Sequence, residues 1–218
     1  LVVFWPSVKI AVLDVGQGDA IFLLTSARVL VDAGPPGFKG QNAKVNQRLE
    51  SLGLGALDDL LLTHPDRDHI GGVETLLTRH RVRTLHVRES QLTDPRLLPV
   101  LAAAERAGSD IAFLRSDEAP PGLECWLPPS PDGNESSPLC YAQTLGGKTL
   151  WLTGDAGFAS EEWLMRQTAM RRADLLKVGH HGSRFSSEEE FVRASGARTA
   201  LLSVGAKNRY GHPAPETT

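Results

Sequence analysis

The stretch His64-Pro65-Asp66-Arg67-Asp68-His69 directly follows the apolar run Leu60-Leu61-Leu62-Thr63. This run has the pattern of a buried strand, and polar groups placed just after strand ends often form functional sites. Imidazole nitrogens and carboxylate oxygens suit Zn²⁺ or Mn²⁺ and are poor ligands for Cu(I), and such a turn could serve two ions roughly 3.5–4 Å apart. The alternative is a solvated polar turn in which an aspartate caps the next helix. We favour the metal interpretation, because two histidines bracket two aspartates and Gly71-Gly72 follows.

Outward from this stretch, strand and helix patterns alternate along the chain. The predicted strands are 8–14, 20–25, 29–32, 57–62, 82–87, 139–145, 148–152, 175–178 and 199–204. The predicted helices are 41–52, 73–80, 94–107, 161–168 and 187–194. Asp94 is the predicted N-cap of the third helix, with Gly108 past its end, and 119–138 is predicted as a surface loop broken only by 123–127.

The order of these elements predicts the fold class. A meander, then strands alternating with helices, then a similar mixture again indicate two packed mixed sheets with helices outside. The predicted fold is α/β with four layers, αββα. At 218 residues, of which 41% are hydrophobic, we expect one domain spanning 1–218. The chain starts without Met and stops at 215–218 without a closing element, so we also expect a fragment of a longer protein.

Composition excludes several classes of protein. The 23 basic and 26 acidic side chains give a net charge of -3, so any contact with nucleic acid must be local. Cys125 and Cys140 are too few for a disulfide framework, and we expect small, buried, inert core residues or at most one bridge. No apolar run approaches the roughly 18 residues that cross a bilayer, so this segment itself requires no membrane contact.

Several motifs carry a family resemblance. The segment 63–72 resembles the HxHxDH signature of the metallo-β-lactamase superfamily, with Asp66 in place of the second histidine. Further motifs look like those of the soluble hydrolase domain in the ComEC family of bacterial DNA-uptake channel proteins: Leu13 to Ala20, Val31 to Gly34, Leu152 to Asp155, Lys177 to Ser183 and Asn208 to Pro213. The resemblance covers nearly the whole chain. It implies a metal-dependent hydrolase whose parent lies in the bacterial cell membrane, with this domain on the extracytoplasmic side.

The resemblance also implies a ligand set for two divalent metal ions, Mn or Zn. His64 and Asp66 would serve the first ion, and Asp68 and His69 the second. Asp155 would bridge both ions, and the preceding glycine would allow the close backbone approach that a bridge needs.

The resemblance defines the other residues of the implied site less fully. Either His180 or His181 would complete the shell of the second ion, and the sequence leaves open which one points inward. Asp32 matches an early structural aspartate that is expected to hold the signature loop by hydrogen bonds. A third histidine for the first ion is missing, because none lies between His86 and His180 and the residues 134–137 occupy that region. We therefore expect the first ion to be weakly held or completed by water.

The implied mechanism needs no protein nucleophile. Two ions bridged by Asp155 would lower the pKa of a shared water, supply a hydroxide nucleophile and polarise the bound substrate oxygen. Asp68 is the candidate for orienting that water. His180, His181 and His212 are the candidates for stabilising the leaving oxygen.

Three functions remain open at this stage. The first is a Mn²⁺- or Zn²⁺-dependent phosphodiesterase that degrades DNA, expected to be single-stranded, during competence-related uptake, with the rest of a membrane channel protein as its partner. The second is a hydrolase of a small ester, lactam or phosphorylcholine, and the third is a catalytically weak DNA-binding module. The predicted phosphate contacts are Lys177, Arg184, Lys207 and Arg209. Residues expected either at the rim of the site or in ordinary turns are Asp14, Gln17 and Asp19.

Overall fold

The computed structural model describes residues 8–38, 42–130, 133–167 and 170–217, and its strands form two sheets. The six-stranded sheet contains, in chain order, β1 (Ile10–Val12), β2 (Ile21–Leu24), β3 (Arg28–Val31), β4 (Ala56–Leu61), β5 (Arg81–Val87) and β6 (Asp110–Phe113). The five-stranded sheet contains β7 (Leu123–Trp126), β8 (Leu139–Gln143), β9 (Thr149–Leu152), β10 (Leu175–Lys177) and β11 (Thr199–Leu201).

Each sheet is mixed. In the first sheet, β1 to β3 form an antiparallel meander, and β3 to β6 run parallel to one another. In the second sheet, β7 to β9 are antiparallel and β9 to β11 are parallel. Parallel strands need crossover connections, and helices provide most of them.

Within the described ranges, six α-helices accompany the sheets: α1 (Lys44–Ser51), α2 (Arg67–Ile70), α3 (Val73–Arg79), α4 (Leu98–Ala107), α5 (Phe158–Arg166) and α6 (Glu189–Ser195). Buried side chains of α1, α3 and α4 pack with one face of the first sheet. Buried side chains of α5 and α6 pack with one face of the second sheet. None of the helices within the described ranges is long and apolar enough to cross a membrane.

The alternation of side chains along a strand explains the layers. In β2, Phe22 and Leu24 point towards the helices, whereas Ile21 and Leu23 join the cluster between the two sheets. Cys125 and Leu152 of the second sheet belong to that same central cluster. The order of layers is therefore helix, sheet, sheet, helix, which confirms the predicted αββα fold.

The structure differs from the sequence prediction at several elements, among them a strand that was not predicted and the start of one helix. The strand β6 was not predicted, because its short run includes only Ile111, Ala112 and Phe113 as apolar residues and it pairs with β5 alone. The helix α4 begins at Leu98 rather than after Asp94. The Asp94 carboxylate instead accepts the backbone N–H of Arg96, which forms a local turn that precedes the helix. Of the predicted helical ends, Gln41 and Thr168 lie outside the described residues.

Cys125 and Cys140 form one disulfide, the alternative that the sequence left open beside the favoured interpretation of inert, unlinked core residues, and both side chains are buried as expected. They lie directly opposite each other on the antiparallel strands β7 and β8. The sequence separation of 15 residues did not reveal this pairing, because it depends on the register between two strands joined by a long loop.

Candidate metal centre

The predicted ligands come from three segments, each of which follows a strand. His64 follows β4, Asp68 and His69 lie on the short helix α2, and Asp155 follows β9. The His180-His181 pair follows β10 in a 3-10 turn. Groups of three ligand atoms that lie within 4.8 Å of one another include His64 with His69 and Asp155, and Asp68 with His69 and His181.

Asp32 fixes the orientation of His69. Its Oδ2 lies 2.7 Å from His69 Nδ1, and the same carboxylate accepts the hydroxyl of Thr63 at 2.7 Å and the backbone N–H of Thr63 at 2.9 Å. With Nδ1–H donated to Asp32, the Nε2 lone pair of His69 faces Asp155 Oδ2 at 3.3 Å. A buried carboxylate that orients a ligand histidine in this way is a common support of metal sites.

His181 is the histidine that points inward. Its Nδ1 lies 2.9 Å from the carbonyl oxygen of Ser203, to which it donates. Its Nε2 lies 3.3 Å from His69 Nε2, 3.4 Å from Asp68 Oδ2 and 3.5 Å from Asp155 Oδ2. Since both Nδ1 atoms donate elsewhere, two lone pairs face each other, and a proton or a cation must lie between them.

His64 has one buried nitrogen without a hydrogen-bond partner. Its Nδ1 lies 3.1 Å from the hydroxyl oxygen of Thr63 and 3.3 Å from that of Ser137. Its Nε2 has no hydrogen-bond partner among the residues that the structure describes, and it lies 3.7 Å from both Asp155 Oδ2 and Asp66 Oδ2. A fully buried nitrogen aimed at two carboxylates fits a cation ligand.

Asp155 is the centre of the cluster. Its Oδ2 lies 3.3 to 3.7 Å from the nearest nitrogens of His64, His69, His180 and His181. Burial alone would raise the pKa of this carboxyl, but the charges of His69, His181 and His64 hold it well below its usual range. Gly154 has a positive φ (51) that favours glycine, and a Cβ there would also stand 3.0 Å from Ser137 Cβ, a tight contact.

The carboxylates in turn raise the pKa values of two histidines. Burial opposes the charged form of His69, yet Asp155 and Asp32 raise its pKa well above the usual value. In the same way, burial of His181 is outweighed by Asp19, Asp68 and Asp155, and its pKa rises to about 9. The site therefore favours positive charge strongly, and its nitrogen and oxygen donors fit Zn²⁺ or Mn²⁺.

His180 and Asp66 lie at the outer side of the cluster. His180 Nε2 is 3.7 Å from Asp155 Oδ2, and both histidines of the pair adopt positive φ (43 and 54), which separates their side chains. His180 Nε2 and His64 Nε2 thus approach the same oxygen of Asp155. His180 is therefore placed to supply the nitrogen ligand that the first ion lacked in the sequence prediction. Asp66 shares its carboxylate between His64 and Arg96, and these contacts lower its pKa to about 2.

The region 134–137 packs against the cluster without supplying a histidine. The Ser137 hydroxyl contacts His64 and accepts the backbone N–H of Asp155 at 3.3 Å. The Asn134 amide nitrogen lies 3.4 Å from His180 Nε2. These polar neighbours hold ligand-type residues in place and were not expected from the sequence.

Lys177 does not face a substrate, so its predicted contact with phosphate was wrong. The side chain is fully buried, ion-paired with Asp19, and donates to the carbonyl of Gly154 at 3.0 Å. Its Nζ is also 4.0 Å from Asp155 Oδ1. The sequence could have predicted this burial, because side chains alternate along a strand. Lys177 shares a face of β10 with Leu175, which packs against the cluster between the sheets.

The remaining predicted residues lie around the opening of the centre. Arg184, Lys207 and Arg209 are exposed, and the His212 ring lies 5.8 Å from the His180 ring, between centroids. Burial lowers the pKa of both His180 and His212. A pocket of about 100 Å³ opens onto the centre, and its lining includes Asp66, Asp68, Asp155, His180, His181 and His212.

Comparison with known proteins gives a consistent result. The family model described as "Metallo-beta-lactamase superfamily" matches residues 13–206. ComE operon protein 3 of Bacillus subtilis (strain 168) is 34% identical over 94% of this chain and 29% of its own length. Competence protein ComA of Neisseria gonorrhoeae is 28% identical over 94% of this chain and 28% of its own length. These matches over 94% of this chain confirm the resemblance to competence proteins, and the chain spans less than a third of the length of these curated relatives.

Solved structures show the same fold at low sequence identity. MEM-A1, a subclass B3 metallo-β-lactamase isolated from a soil metagenome library, gives a TM-score of 0.57 at 16% identity, covering 86% of this chain and 91% of its own. A diphosphatase from the PhnP family gives 0.55 at 16% identity, covering 87% and 73%. At such identities the similarity extends to the fold alone.

Proposed function

Because the chain belongs to the metallo-β-lactamase superfamily, we propose that it is a metal-dependent phosphodiesterase that hydrolyses DNA. The observation that carries this proposal is the convergence of His64, His69 and His181 on Asp155 beside an open pocket. One curated relative supports DNA as the substrate, because it is named as a competence protein and competence is the uptake of DNA.

Most residues of the centre would hold metal, and one of these ligands, Asp68, would also handle a proton. His64, Asp66, Asp155 and His180 would hold one ion, and Asp68, His69, His181 and Asp155 the other. When bound, these ions supply Lewis-acid chemistry, which lowers the pKa of water and polarises a phosphoryl oxygen.

Two side chains at the opening act on the substrate. Asp68 is 31% exposed and lines the pocket, so its carboxylate can orient an attacking water and accept its proton. His212 lines the same pocket, where its imidazole can donate to the leaving oxygen, whereas His180 Nε2 would hold the first ion. His181 is less suited to that task, because its Nδ1 donates to Ser203 and its Nε2 faces Asp68 and Asp155.

The test is restoration of activity to metal-stripped protein. Mn²⁺, Zn²⁺ or Mg²⁺ is added separately, and release of labelled fragments from single-stranded DNA is measured. We expect hydrolysis with Mn²⁺ or Zn²⁺. Hydrolysis of small esters, lactams or phosphorylcholine but not of DNA would overturn the choice of substrate. Binding of DNA without turnover under every metal would instead identify a binding module.

Asp155→Ala tests the ligand assignment. Without this carboxylate the two ions lose their shared counter-charge, so we expect loss of at least one equivalent of metal and of DNA hydrolysis. Elemental analysis measures the metal content. The matched control is Asp117→Ala on the exposed surface, which should retain both metal and activity. Full metal content and unchanged turnover in Asp155→Ala would contradict the assignment.

We also propose that the domain is part of a membrane DNA-uptake protein and lies outside the cytoplasm. The Cys125–Cys140 disulfide supports this placement, because disulfides persist in oxidising compartments and are rare in the cytosol. In intact cells, thiol alkylation before and after reduction tests it. Protection of both cysteines until reduction is expected, and labelling without reduction would place the domain in the cytosol.

A further inference from the structure

A second, larger cleft lies beside the metal centre. It has a volume of about 700 Å³, within the range of clefts that hold ligands of nucleotide size. Its walls are the loop 35–38, Arg67 and the loop 207–210. It shares Gln17, Asp68 and Tyr210 with the small pocket over the metal ligands, so the two spaces adjoin. We call it the aromatic cleft.

Two aromatic side chains in its walls are unusually exposed. Phe38 is 72% exposed and Tyr210 is 57% exposed. The Tyr210 ring stacks on the His212 ring at 5.9 Å between centroids and 17° between planes, and His212 in turn adjoins His180. A row of rings therefore leads from the aromatic cleft to the metal centre.

The position of Tyr210 is fixed by Asn208. Its Oδ1 accepts the backbone N–H groups of Tyr210 at 3.1 Å and His212 at 3.0 Å. Its Nδ2 donates to the carbonyls of Gly205 at 2.9 Å and His212 at 2.6 Å. A wall that is already ordered before a ligand arrives loses little entropy on binding.

The charge of the cleft is opposite to that of the whole chain. Arg67, Lys207 and Arg209 are exposed, and within residues 8–38, 42–130, 133–167 and 170–217 none of the three makes an ion pair. The Arg209 guanidinium instead lies 5.5 Å from the centre of the Tyr210 ring. Cations that are not neutralised by a carboxylate of the chain remain available for phosphate groups.

We propose that the aromatic cleft is a base-stacking subsite for single-stranded DNA, an inference that rests on the proposed phosphodiesterase function. A nucleobase stacks on Tyr210 or Phe38, Arg67, Lys207 and Arg209 contact phosphates, and the next phosphodiester reaches the metal centre. Aromatic rings interleaved with cations are the usual means of holding a single strand, because every base has a π-face. In a duplex the bases are paired and stacked on one another, so they cannot enter the cleft.

The experiment measures binding of two tetranucleotides to metal-stripped protein, which does not turn them over. One carries thymine bases, and the other is abasic with the same backbone charge. The wild type should bind the thymine oligomer between about five-fold and about a hundred-fold more tightly, the range expected for base–aromatic stacking. In Tyr210→Ala with Phe38→Ala, the two oligomers should bind equally, and Tyr210→Phe should retain the preference for bases.

Phe185→Ala is the matched control. Phe185 is 68% exposed, like Phe38, but it lines neither pocket, so this variant should bind both oligomers as the wild type does. A preference for bases that survives the double substitution, or that is lost equally in Phe185→Ala, would overturn the subsite.

This inference and the proposed function fail in different ways. Hydrolysis of DNA by the metal-loaded wild type without a preference for bases would overturn the subsite and leave the phosphodiesterase intact. A preference for bases that depends on Tyr210, without hydrolysis under any metal, would establish the subsite and overturn the phosphodiesterase.

Discussion

Lys177 and Asp19 form a buried ion pair between the end of β10 and the start of β2. Burial is the largest influence on both groups, yet their mutual attraction keeps the pKa of Lys177 above its usual value and that of Asp19 below it. Replacement of Lys177 leaves the buried Asp19 carboxylate without its main partner, although His181 still lies 3.5 Å away, and breaking a buried ion pair typically costs about 3–5 kcal/mol. We therefore expect Lys177→Met to lower the free energy of unfolding by about that amount.

Urea denaturation of metal-stripped protein measures this effect. The control is the double variant Lys177→Met with Asp19→Asn, which removes both charges. It should recover much of the lost stability, because neither partner is then left as a lone charge. A single variant as stable as the wild type would show that the pair does not contribute.

At the level of residues, the sequence predicted which side chains are candidate metal ligands better than it predicted the contacts of those side chains. The positions from His64 to His69 were identifiable because their donor types and spacing have few structural explanations. By contrast, Arg96 contacts Asp66 from a turn thirty residues away, and no local pattern marks that contact. Which of His180 and His181 points inward was also beyond the sequence, because it depends on two consecutive backbone conformations with positive φ.

At the scale of elements, Glu161 joins α5 to the start of α6. Its carboxylate accepts the backbone N–H groups of Ser187 at 2.6 Å and Glu188 at 2.9 Å. The Ser187 hydroxyl accepts the N–H of Gly179 at 2.9 Å, next to the histidine pair. Burial nevertheless raises the pKa of Glu161 from 4.5 to about 7.

A raised carboxyl pKa has a definite effect on stability. Between pH 4.5 and about 7 the folded state retains a proton that the unfolded state has released, so stability falls as pH rises through this window. A difference of this size corresponds to about 3 kcal/mol. We expect the free energy of unfolding of the wild type to fall by about that amount relative to Glu161→Gln. Denaturation of both proteins from pH 4 to pH 8 checks this, and parallel pH profiles would contradict it.

The disulfide gives a second test at this scale. It closes a separation of 15 residues between β7 and β8, and cross-linking a loop of about 15 residues stabilises a fold by about 3 kcal/mol. We expect Cys125→Ala with Cys140→Ala to lower the free energy of unfolding by about that amount. Dithiothreitol should destabilise the wild type similarly and leave the double variant unchanged. Equal stability of the oxidised and reduced wild type would contradict this.

Elements with long or regular patterns were predicted well, and short or non-local ones were not. The run 57–62 and the neighbouring helices have enough apolar periodicity to be predicted from the sequence. The strand β6 is short, lies at an edge and is partly exposed, so only its pairing with β5 reveals it. The start of α4 was misplaced because Asp94 can cap a helix or form a turn, and packing against the first sheet decides between them.

At the scale of the whole molecule, the layered fold brings ligands from distant segments of the chain to one place. The αββα order could be predicted from the succession of strands and helices, because few arrangements bury both faces of two sheets. The aromatic cleft could not, since its walls come from 35–38, Arg67 and 207–210, which are far apart in sequence. The positive charge of the cleft could not be predicted from the composition either, because acidic residues outnumber basic ones in the whole chain.

That charge distribution leads to a prediction about salt. With a net charge of -3, attraction over the whole surface cannot gather DNA, so the exposed cations near the centre must supply the contacts. We expect the triple variant Arg184→Gln, Lys207→Gln and Arg209→Gln to raise the KM for single-stranded DNA. Each lost phosphate contact should remove about 0.7 from the slope of log affinity against log salt. The metal content should not change.

The matched control makes the same change of net charge near the strand ends that lie opposite the metal centre. Arg81 begins β5, Arg106 lies in the last turn of α4 and Arg198 precedes β11, so all three are remote from the strand ends that carry the metal ligands. Their triple replacement by Gln also removes three positive charges, but it should leave the KM and the salt slope near the wild-type values. If both triple variants changed the slope equally, net charge alone would explain the effect. If neither changed it while hydrolysis persisted, DNA would not be held by these side chains, and a small neutral substrate would fit the centre better.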